Sequence, residues 1–337
     1  MVKIAINGFG RIGRAAFKVA LEHEDDIEVV ALNDLGEVEN LAYLLRYDSV
    51  YGRYNREVEA QEGVLVVGKK NIRVLSEPNP ARLPWGELGV DVVIESTGVF
   101  TEKEEAQGHI DAGARYVLIS APTESEDVQT VVYGVNDEEL TGNAIISNAS
   151  CTTNCATPVA AVMHRIFGVH KALLTTVHAY TATQSLVDGP SGKKSDFRRG
   201  RAAGVNMVPA STGAAIAATK AFEPLRGKFD GVALRIPLPV VSMSDFSFVT
   251  AREVTVEEVN TAFIEATQNP VYRDVIGVTD EPVVSSDFIG DPRSAIVDLS
   301  MTRVVGGDLV KVMAWYDNEW GYSNRLVEQV IALGNEQ

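Results

Sequence analysis

The stretch Lys-Ile-Ala-Ile-Asn-Gly-Phe-Gly-Arg-Ile-Gly-Arg-Ala-Ala-Phe at residues 3–17, followed by Ile-Glu-Val-Val-Ala-Leu-Asn-Asp at residues 27–34, decides the fold. It predicts a strand, a glycine turn, an amphipathic helix and a second strand that ends in an acid. The glycines have the spacing Gly-x-Gly-x-x-Gly. Asp34 follows the last of them by about 20 residues, where a dinucleotide-binding fold places the carboxylate that binds ribose.

Each glycine of this motif has a separate physical role. Gly8 permits the tight turn, Gly10 lets the backbone approach a pyrophosphate, and Gly13 lets the helix pack on the strand. The helix N-terminus adds unpaired N–H groups and a positive dipole end for the phosphates. A glycine turn alone is weak evidence, but the flanking strands favour dinucleotide binding. Asp34 favours NAD over NADP, because a carboxylate accepts from a 2′-hydroxyl and repels a 2′-phosphate.

Composition excludes several classes of function. The net charge of −16 argues against general affinity for nucleic acid, which needs a basic surface. With only two cysteines a disulfide framework is excluded, so we expect a reducing, cytoplasmic location. No run of 18 apolar residues occurs, and we therefore expect no membrane span.

The pattern of elements changes near residue 150. The first 150 residues alternate strands and helices, and continuous apolar strands such as 90–94 indicate a parallel sheet that is buried on both faces. The second half has longer, more alternating strands, which suit a mixed or antiparallel sheet with helices on one face; we predict them at 171–178, 231–237, 241–254, 295–305 and 308–316. The predicted fold class is α/β, with an N-terminal Rossmann domain and an α+β domain whose mixed sheet is largely antiparallel.

The sequence Ser-Asn-Ala-Ser-Cys-Thr-Thr-Asn-Cys at residues 147–155 contains both cysteines. Cys151 is predicted in the first turn of a helix capped by Asn148 or Ser150, where the helix dipole lowers a thiol pKa. Cys155 lies one turn deeper. The alternative is two buried structural cysteines, and the local sequence leaves both open. A metal site is not expected, because the spacing is not Cys-x-x-Cys and no His or Asp cluster adjoins it.

His178 is a candidate base for the Cys151 thiol. It ends a predicted buried strand, at the carboxyl end where α/β folds present catalytic groups. The alternative is an ordinary core or surface histidine. The arginines of the long 188–204 segment, and Arg235 on a strand, are candidate phosphate ligands, although a solvated loop or a subunit contact explains the loop arginines equally well.

Taken together, these motifs resemble the phosphorylating glyceraldehyde-3-phosphate dehydrogenase family over the whole chain. The matching stretches are Asn-Gly-Phe-Gly-Arg-Ile-Gly-Arg at 7–14, Leu-Leu-Arg-Tyr-Asp-Ser-Val at 44–50, Glu-Ser-Thr-Gly-Val-Phe at 95–100, the cysteine stretch at 147–155, His-Ala-Tyr-Thr at 178–181, Arg-Arg-Gly-Arg-Ala-Ala at 198–203, Ser-Thr-Gly-Ala-Ala at 211–215 and Trp-Tyr-Asp-Asn-Glu-Trp-Gly-Tyr-Ser-Asn-Arg at 315–325. The cysteine stretch is highly specific to that family.

The resemblance implies a role for each matching residue. Cys151 is the nucleophile, and His178 is its base and acid. The phosphate of the substrate, glyceraldehyde 3-phosphate, is held by Thr181 and Arg235. The attacking inorganic phosphate is held by a second set, with Arg199 near both sites: Ser150, Thr152, Thr212 and Gly213. NAD is contacted by Gly8, Gly10, Arg11, Ile12, Gly13, Asp34, Thr97, Ser120 and Asn318.

The resemblance also implies a domain organisation and an assembly. It predicts an NAD-binding domain over 1–150, a catalytic domain over 151–318, and a last helix, 319–337, that packs back on the first domain. It predicts a homotetramer in which the 188–204 segment lies near a neighbour's cofactor site. Two departures stand out: Ser76-Glu77-Pro78 near the expected adenine site, and Lys193-Lys194-Ser195, which lengthens the loop.

The implied activity is NAD-dependent oxidation and phosphorylation of glyceraldehyde 3-phosphate through a cysteine thioester, a reaction of glycolysis and gluconeogenesis. One alternative is a relative that oxidises another phosphorylated aldehyde, such as erythrose 4-phosphate, or that hydrolyses its thioester. The other is a cofactor-binding regulatory protein without catalysis, against which the presence of both Cys151 and His178 argues.

Overall fold

A computed structural model of the chain describes residues 1–140, 142–191 and 196–335. The chain forms two compact units. The first comprises Met1–Val131, Asp137–Ala149 and the residues from Ser323 onward; the second comprises Val132–Asn136 and Ser150–Tyr322. The departure at Lys193-Lys194-Ser195 lies outside the described residues.

The first unit contains eleven strands and four complete helices among its described residues. The strands are β1 (Val2–Asn7), β2 (Ile27–Asn33), β3 (Tyr47–Asp48), β4 (Gly52–Arg53), β5 (Val58–Gln61), β6 (Val64–Val67), β7 (Lys70–Leu75), β8 (Val92–Glu95), β9 (Tyr116–Ile119), β10 (Gln129–Thr130) and β11 (Ile145–Ser147). The helices are α1 (Arg11–Ala20), α2 (Val38–Arg46), α3 (Trp85–Leu88) and α4 (Lys103–Asp111).

The main sheet of this unit has the strand order β10-β11-β9-β8-β1-β2-β7-β6-β5. All pairs from β10 to β7 are parallel, and only the β7-β6-β5 hairpins are antiparallel. All four residues of β8 are buried, as expected for a central strand covered on both faces. The strand order reverses between β1 and β8, so the carboxyl ends of these two strands flank the crevice where doubly wound folds bind ligands.

The second unit has a mixed sheet with helices on one face. Its strands are β12 (Val169–Ala179), β13 (Val208–Ser211), β14 (Phe229–Ile236), β15 (Ser242–Thr250), β16 (Ile276–Thr279), β17 (Ala295–Asp298), β18 (Arg303–Val305) and β19 (Leu309–Tyr316). Its helices are α5 (Cys151–Phe167), α6 (Ala214–Ala221) and α7 (Val256–Gln268).

This second sheet has the order β13-β14-β12-β15-β19-β17-β16, with β18 also paired to β19. Within the described residues of this sheet, only β12–β14 and β16–β17 are parallel pairs. Burial alternates strictly along β15, and its buried residues, such as Phe246 and Phe248, pack in one core with α5, α6 and α7. The predicted fold class is confirmed: a Rossmann α/β domain is joined to a domain with a mixed, largely antiparallel sheet.

The last helix, α8 (Trp320–Asn335), belongs from Ser323 onward to the first unit. Gln329 connects α8 to the first unit by two hydrogen bonds. Its Oε1 accepts from Asn148 Nδ2 at 2.5 Å, and its Nε2 donates to the carbonyl of Val131 at 3.2 Å. Near the end of the helix Gly334 lies against Val2, so closely that a Cβ would come within 2.0 Å of the valine side chain. None of the helices in residues 1–140, 142–191 and 196–335 is long and apolar enough to cross a bilayer.

One predicted strand is wrong. The apolar run 295–305 forms two strands, β17 and β18, separated by a short helical turn at Leu299–Met301. The Asp298 carboxylate accepts from Ser300 N at 3.2 Å and so stabilises the turn. Several short elements were not predicted, namely β10, β13, β16 and α3, because runs of two to four residues are too short to show a period.

A matched pair of glycine substitutions tests the packing of α1. A Cβ on Gly13 would lie 2.0 Å from the carbonyl oxygen of Gly8, whereas a Cβ on Gly10 would meet no described atom within 4 Å. We expect Gly13→Ala to lower the free energy of unfolding by about 1–3 kcal/mol or more, the usual cost of overpacking. Gly10→Ala should stay within about 1 kcal/mol of the parent. Urea unfolding of both variants measures this, and equal stabilities would contradict the assigned role of Gly13.

Candidate active site

A cavity of about 500 Å³ lies at the carboxyl ends of β1, β2 and β8 in the first unit. Four residues predicted to bind the cofactor line it: Gly8, Gly10, Asp34 and Thr97. The remaining lining residues are Asn7, Asn33, Leu35, Glu77, Pro78, Ser96, Val99 and Phe100. Residues that are spread over about a hundred positions of the sequence therefore line one cavity in the tertiary structure.

Asp34 holds the glycine turn as well as facing the cavity. Its Oδ2 accepts from the backbone N–H of Phe9 at 2.7 Å, and its Oδ1 accepts from that of Gly36 at 2.8 Å. A carboxylate has about four acceptor positions, so it can hold these two donors and still bind a ribose hydroxyl.

Arg11 and Ile12 occupy the first turn of α1. The Arg11 guanidinium donates to Asp48 at 2.6 Å and lies over the ring of Tyr51. Its side chain therefore has a structural partner, and the helix N-terminus offers backbone N–H groups to an anion. Ser120 directly follows β9, and its backbone N–H donates to the carbonyl of Glu95 at 2.9 Å.

A buried carboxylate beneath this cavity was missed by sequence reasoning. Glu95 Oε1 accepts from the backbone N–H of Thr97 at 2.8 Å, while Oε2 accepts from Asn7 Nδ2 at 2.5 Å and contacts His109 Nε2 at 3.0 Å. Trp85 Nε1–H donates to His109 Nδ1 at 2.9 Å, so Nε2 carries the imidazole proton and donates to Glu95. The available signal was an acid at the end of the apolar run Val-Val-Ile-Glu.

The Ser76-Glu77-Pro78 departure is held at the same cavity through its backbone. Asn33 Nδ2 donates to the carbonyl of Glu77 at 2.9 Å, and the N–H of Glu77 donates back to Asn33 Oδ1 at 2.9 Å. The Glu77 side chain adds a local hydrogen bond, in which Oε1 accepts from the backbone N–H of Asn79 at 2.9 Å.

In the second unit, α5 begins at Cys151 with Ser150 as its N-cap. Ser150 Oγ accepts from the N–H of Thr153 at 3.1 Å, which decides between the two predicted caps. The preceding residue, Ala149, is buried and has φ of 55°, a left-handed conformation that is rare for alanine. Backbone strain of this kind occurs at functional sites, where the surrounding structure maintains it.

Cys151 and His178 are in contact, as required of a nucleophile and its base. The Sγ–Nε2 distance is 3.4 Å. On the other side of the ring, His178 Nδ1 lies 2.7 Å from the carbonyl oxygen of Ala179 and 2.6 Å from Arg235 Nη1. Arg235 Nη1 also donates to that carbonyl at 3.0 Å.

The electrostatics correct one prediction. Burial raises the pKa of the Cys151 thiol above its ordinary value, although the Arg235 charge and the N–H groups at the helix N-terminus oppose this shift. The expected dipole effect is therefore present but smaller than the desolvation of the thiolate. Burial, reinforced by Arg235, lowers the pKa of His178 to about 3. Burial thus disfavours the charged form of each member of the pair.

The residues predicted to hold the substrate phosphate lie around this pair. Thr181 Oγ1 is 3.0 Å from Thr183 Oγ1, which accepts from Arg199 Nη1 at 3.0 Å, and Arg199 is fixed by Asp196 at 2.8 Å. The positive charge of Arg199 lowers the pKa of Arg235, after the larger effect of burial. Two guanidinium groups that repel each other in this way are suited to binding an anion.

The residues predicted to bind inorganic phosphate lie at the starts of two different helices, α5 and α6. Ser150 caps α5, and the buried Thr152 shares a hydrogen bond with Tyr316 OH at 2.9 Å, so both hydroxyls already have protein partners. Thr212 Oγ1 accepts from Ala214 N at 3.2 Å, and Gly213 is the N-cap of α6. Backbone N–H groups at the starts of α5 and α6 are the donors that these segments offer to an anion.

Tyr316, the last residue of β19, and Asn318, two residues after it, support the site. Tyr316 is buried, bonds to both Thr152 and Thr176 at 2.9 and 2.8 Å, and meets the His178 ring edge-to-face at 6.0 Å. Asn318 Oδ1 accepts from Ser242 Oγ at 3.0 Å. Sequence reasoning assigned no role to Tyr316, and the only signal was its place in the motif at 315–325.

Cys155 is fully buried one turn after Cys151, and burial raises its pKa to about 12. It is a structural thiol and no competitor of Cys151 as nucleophile. Across the described ranges no group of three or more His, Cys, Asp or Glu side chains is arranged to hold a metal ion.

Comparison with known proteins gives a consistent match. The family model described as the glyceraldehyde 3-phosphate dehydrogenase NAD binding domain matches residues 2–103, and the one described as the C-terminal domain matches residues 150–318. The chain is 50% identical to glyceraldehyde-3-phosphate dehydrogenase of Streptomyces coelicolor over 337 residues, 99% of each chain. It is 48% identical to that of Mycobacterium leprae over 340 residues, 99% of this chain and 98% of the relative.

The low pKa of His178 predicts an acid-sensitive fold. The pKa of the His178 imidazole is about 3 in the folded state and has its ordinary value of 6.5 in the unfolded state. At any pH between these two values the unfolded state therefore binds one proton more than the folded state. We expect His178 to contribute a loss of about 1.4 kcal/mol of unfolding free energy for each pH unit below 6.5, or about 2 kcal/mol at pH 5.

Urea unfolding of the parent, His178→Gln and the control His170→Gln at pH 7 and pH 5 measures this loss. His170 is an exposed histidine of the same unit and serves as the matched substitution. His178→Gln should be less acid-sensitive than the parent. Identical pH dependence in all three proteins would contradict the assignment.

Proposed function

The chain belongs to the glyceraldehyde-3-phosphate dehydrogenase family, and we propose that it oxidises glyceraldehyde 3-phosphate with NAD and inorganic phosphate to give 1,3-bisphosphoglycerate. The observation that carries this proposal is the 3.4 Å contact between Cys151 Sγ and His178 Nε2 beside the Arg235 guanidinium. A nucleophile, a base and an anion ligand are the three groups that the reaction needs.

The chemistry proceeds through a covalent adduct on Cys151. His178 Nε2 takes the thiol proton as Sγ adds to the aldehyde and then gives it to the new oxyanion, which forms a hemithioacetal. Nε2 then accepts the hydroxyl proton of the adduct as the carbon is oxidised to a thioester. NAD, when bound, accepts the hydride. Inorganic phosphate attacks the thioester carbonyl and forms the acyl phosphate, and Cys151 departs as a thiolate. A thiolate is a better leaving group than the alkoxide that a serine would provide.

We assign the two phosphate groups to different segments. The guanidinium of Arg235, with Thr181, takes the phosphate of the substrate, because it lies beside the reacting pair and presents a rigid fork. Ser150, Thr152, Thr212 and Gly213 take the attacking phosphate, with Arg199 near both. The helix starts at Cys151 and Ala214 supply positive dipole ends for that anion.

We assign NAD to the cavity of the first unit. Gly8, Gly10 and Gly13 shape its turn, and Asp34 binds the ribose. The remaining NAD ligands in this assignment are Arg11, Ile12, Thr97, Ser120 and Asn318. The corresponding domains are 1–150 with the final helix 319–337, and 151–318.

We further propose that the chain assembles as a homotetramer. One face of the mixed sheet is covered by α5, α6 and α7, whereas apolar side chains on its other face are exposed: Leu173 is 65% exposed, Val232 57% and Leu309 44%. Such a face on a sheet suits a second copy of the chain. Light scattering measures the assembly, and a monomer at micromolar concentration would contradict it. A cytoplasmic location fits the free thiols of Cys151 and Cys155.

The decisive assay follows NADH absorbance with glyceraldehyde 3-phosphate, with and without phosphate or arsenate. Steady turnover that depends on either anion supports the proposal. Turnover without them would indicate thioester hydrolysis. A preference for erythrose 4-phosphate would assign the chain to another aldehyde, and NAD binding without turnover would indicate a regulatory protein.

Two cysteine variants test the covalent step. Cys151→Ser should reduce turnover to below a few per cent, because a serine hydroxyl is not ionised by a neutral imidazole as readily as a thiol, while NAD binding measured by fluorescence stays near the parent value. Cys155→Ala is the matched control one turn away and should remain active. Substantial turnover by Cys151→Ser would rule out the thioester.

Asp34 should set the preference for NAD over NADP. We expect kcat/KM for NAD to exceed that for NADP strongly, and Asp34→Ala to narrow the ratio because it removes the repulsion of a 2′-phosphate. The variant also loses a charged hydrogen bond worth about 1.5–3 kcal/mol and frees the N–H groups of Phe9 and Gly36, so NAD affinity should fall. Comparable kcat/KM for both cofactors in the parent would contradict the assignment.

A further inference from the structure

A buried histidine of the first unit is connected by hydrogen bonds to two walls of the cavity at the ends of β1, β2 and β8. His109 lies on α4, is fully buried and is not one of the residues that line the cavity. Its Nε2–H donates to Glu95 Oε2 at 3.0 Å, and its Nδ1 accepts from Trp85 Nε1–H at 2.9 Å. Because both ring nitrogens are used, the tautomer and the orientation of the ring are fixed.

The first wall is the segment 97–99, which follows β8. Glu95 Oε1 accepts from the backbone N–H of Thr97 at 2.8 Å and from Thr97 Oγ1 at 2.5 Å. The same Oγ1 accepts from the backbone N–H of Val99 at 3.1 Å. Thr97 and Val99 line the cavity, so the position of the Glu95 carboxylate determines where the first wall lies.

The second wall is the segment 77–78, which follows β7. Glu95 Oε2 accepts from Asn7 Nδ2 at 2.5 Å, and Asn7 Oδ1 accepts from Asn33 Nδ2 at 2.7 Å. Asn33 in turn holds the backbone of Glu77 by two hydrogen bonds of 2.9 Å. Glu77 lines the cavity, and so the same carboxylate determines the position of both walls.

Neutral donors hold the Glu95 carboxylate in place. Glu95 is buried, and within the described ranges no lysine or arginine forms an ion pair with it. Its two oxygens accept from Thr97, Asn7 and His109. A buried acceptor that loses a donor costs free energy, because no bulk water replaces the missing hydrogen bond. Without the His109 donor we therefore expect the carboxylate to turn and to displace the groups that are bonded to it.

We propose that His109 is a positioning residue for the dinucleotide, which acts through Glu95 to hold both walls at the separation that the cofactor needs. The proposal rests on the proposed function and deepens it, because it concerns the cavity that we assign to NAD. The cavity also contains Asp34, the ligand assigned to ribose, so the effect should fall on the ADP-ribose part of NAD. His109 and its partners belong to the first unit, whereas Cys151 belongs to the second. We therefore expect an effect on cofactor affinity and not on kcat.

Two substitutions separate the Glu95 contact from the rest of the ring. In His109→Gln the amide nitrogen takes the place of Nε2 and can donate to Glu95. In His109→Asn the amide takes the place of Nδ1 and is too short to reach Glu95. Calorimetric titration of the full-length protein should give a Kd for NAD at least tenfold above the parent value in His109→Asn, and within threefold of it in His109→Gln. The Kd for ADP-ribose should rise by the same factor, and kcat at saturating NAD should stay within twofold.

The matched control is Ala106→Gly, which weakens the same helix at a buried position without touching the network. It should bind NAD like the parent. Trp85→Phe leaves His109 in place but removes the donor that fixes its ring, and should raise the Kd two- to fivefold, so the test remains available if His109→Asn does not fold. A Kd that is unchanged in both His109→Asn and Trp85→Phe, or raised as much in Ala106→Gly as in His109→Asn, would overturn the proposal.

Amide hydrogen exchange of the proteins without cofactor follows the two walls directly. Peptides covering 76–79 and 96–100 should exchange at least fivefold faster in His109→Asn than in His109→Gln or Ala106→Gly. Equal exchange in the three variants would contradict the role of His109. A parent protein that does not bind NAD would instead contradict the proposed function. The exchange measurement needs no cofactor, so the two failures are distinguishable.

Discussion

The parallel register between β12 and β14 is the constraint on which the catalytic group depends. In that register His178 pairs with Arg235, so their side chains leave neighbouring strands on the same face, toward the start of α5. A slip of one residue would turn Arg235 to the opposite face of the sheet. The hydrogen bonds of β12 with β14 on one side and β15 on the other therefore determine the contacts that His178 makes with a cation and a thiol.

Burial then determines the charge of the group. Burial disfavours the charged forms of both His178 and Cys151. The Arg235 guanidinium opposes this effect at the thiol and reinforces it at the imidazole. The cost of burying two charges is the reason for both shifts. The same low dielectric that disfavours both charged forms strengthens each hydrogen bond formed during reaction.

In the first unit the main constraint is that the backbone must approach a dinucleotide closely. Gly8 and Gly13 remove side chains where the turn and helix meet, and the buried Glu95 connects β1, β8 and α4 through Asn7, Thr97 and His109. The carboxylate holds the loop at Thr97 from below, so the cavity edge is fixed by hydrogen bonds and not by packing alone. Its role was not predicted, because a single acid in an apolar run gives no indication of its partners.

The sequence by itself determined most of the longer helices and strands, the glycine turn, the Ser150 cap region and the family with its candidate nucleophile and base. These features depend on torsion angles, caps and periodicity within a few residues, which are local properties of the chain. Only the tertiary structure decided that Arg235, 57 residues from His178, contacts its Nδ1, that Tyr316 lies behind the pair, and that burial raises the pKa of the Cys151 thiol. Register, desolvation and side-chain contact depend on the packing of distant segments, and no local pattern encodes them.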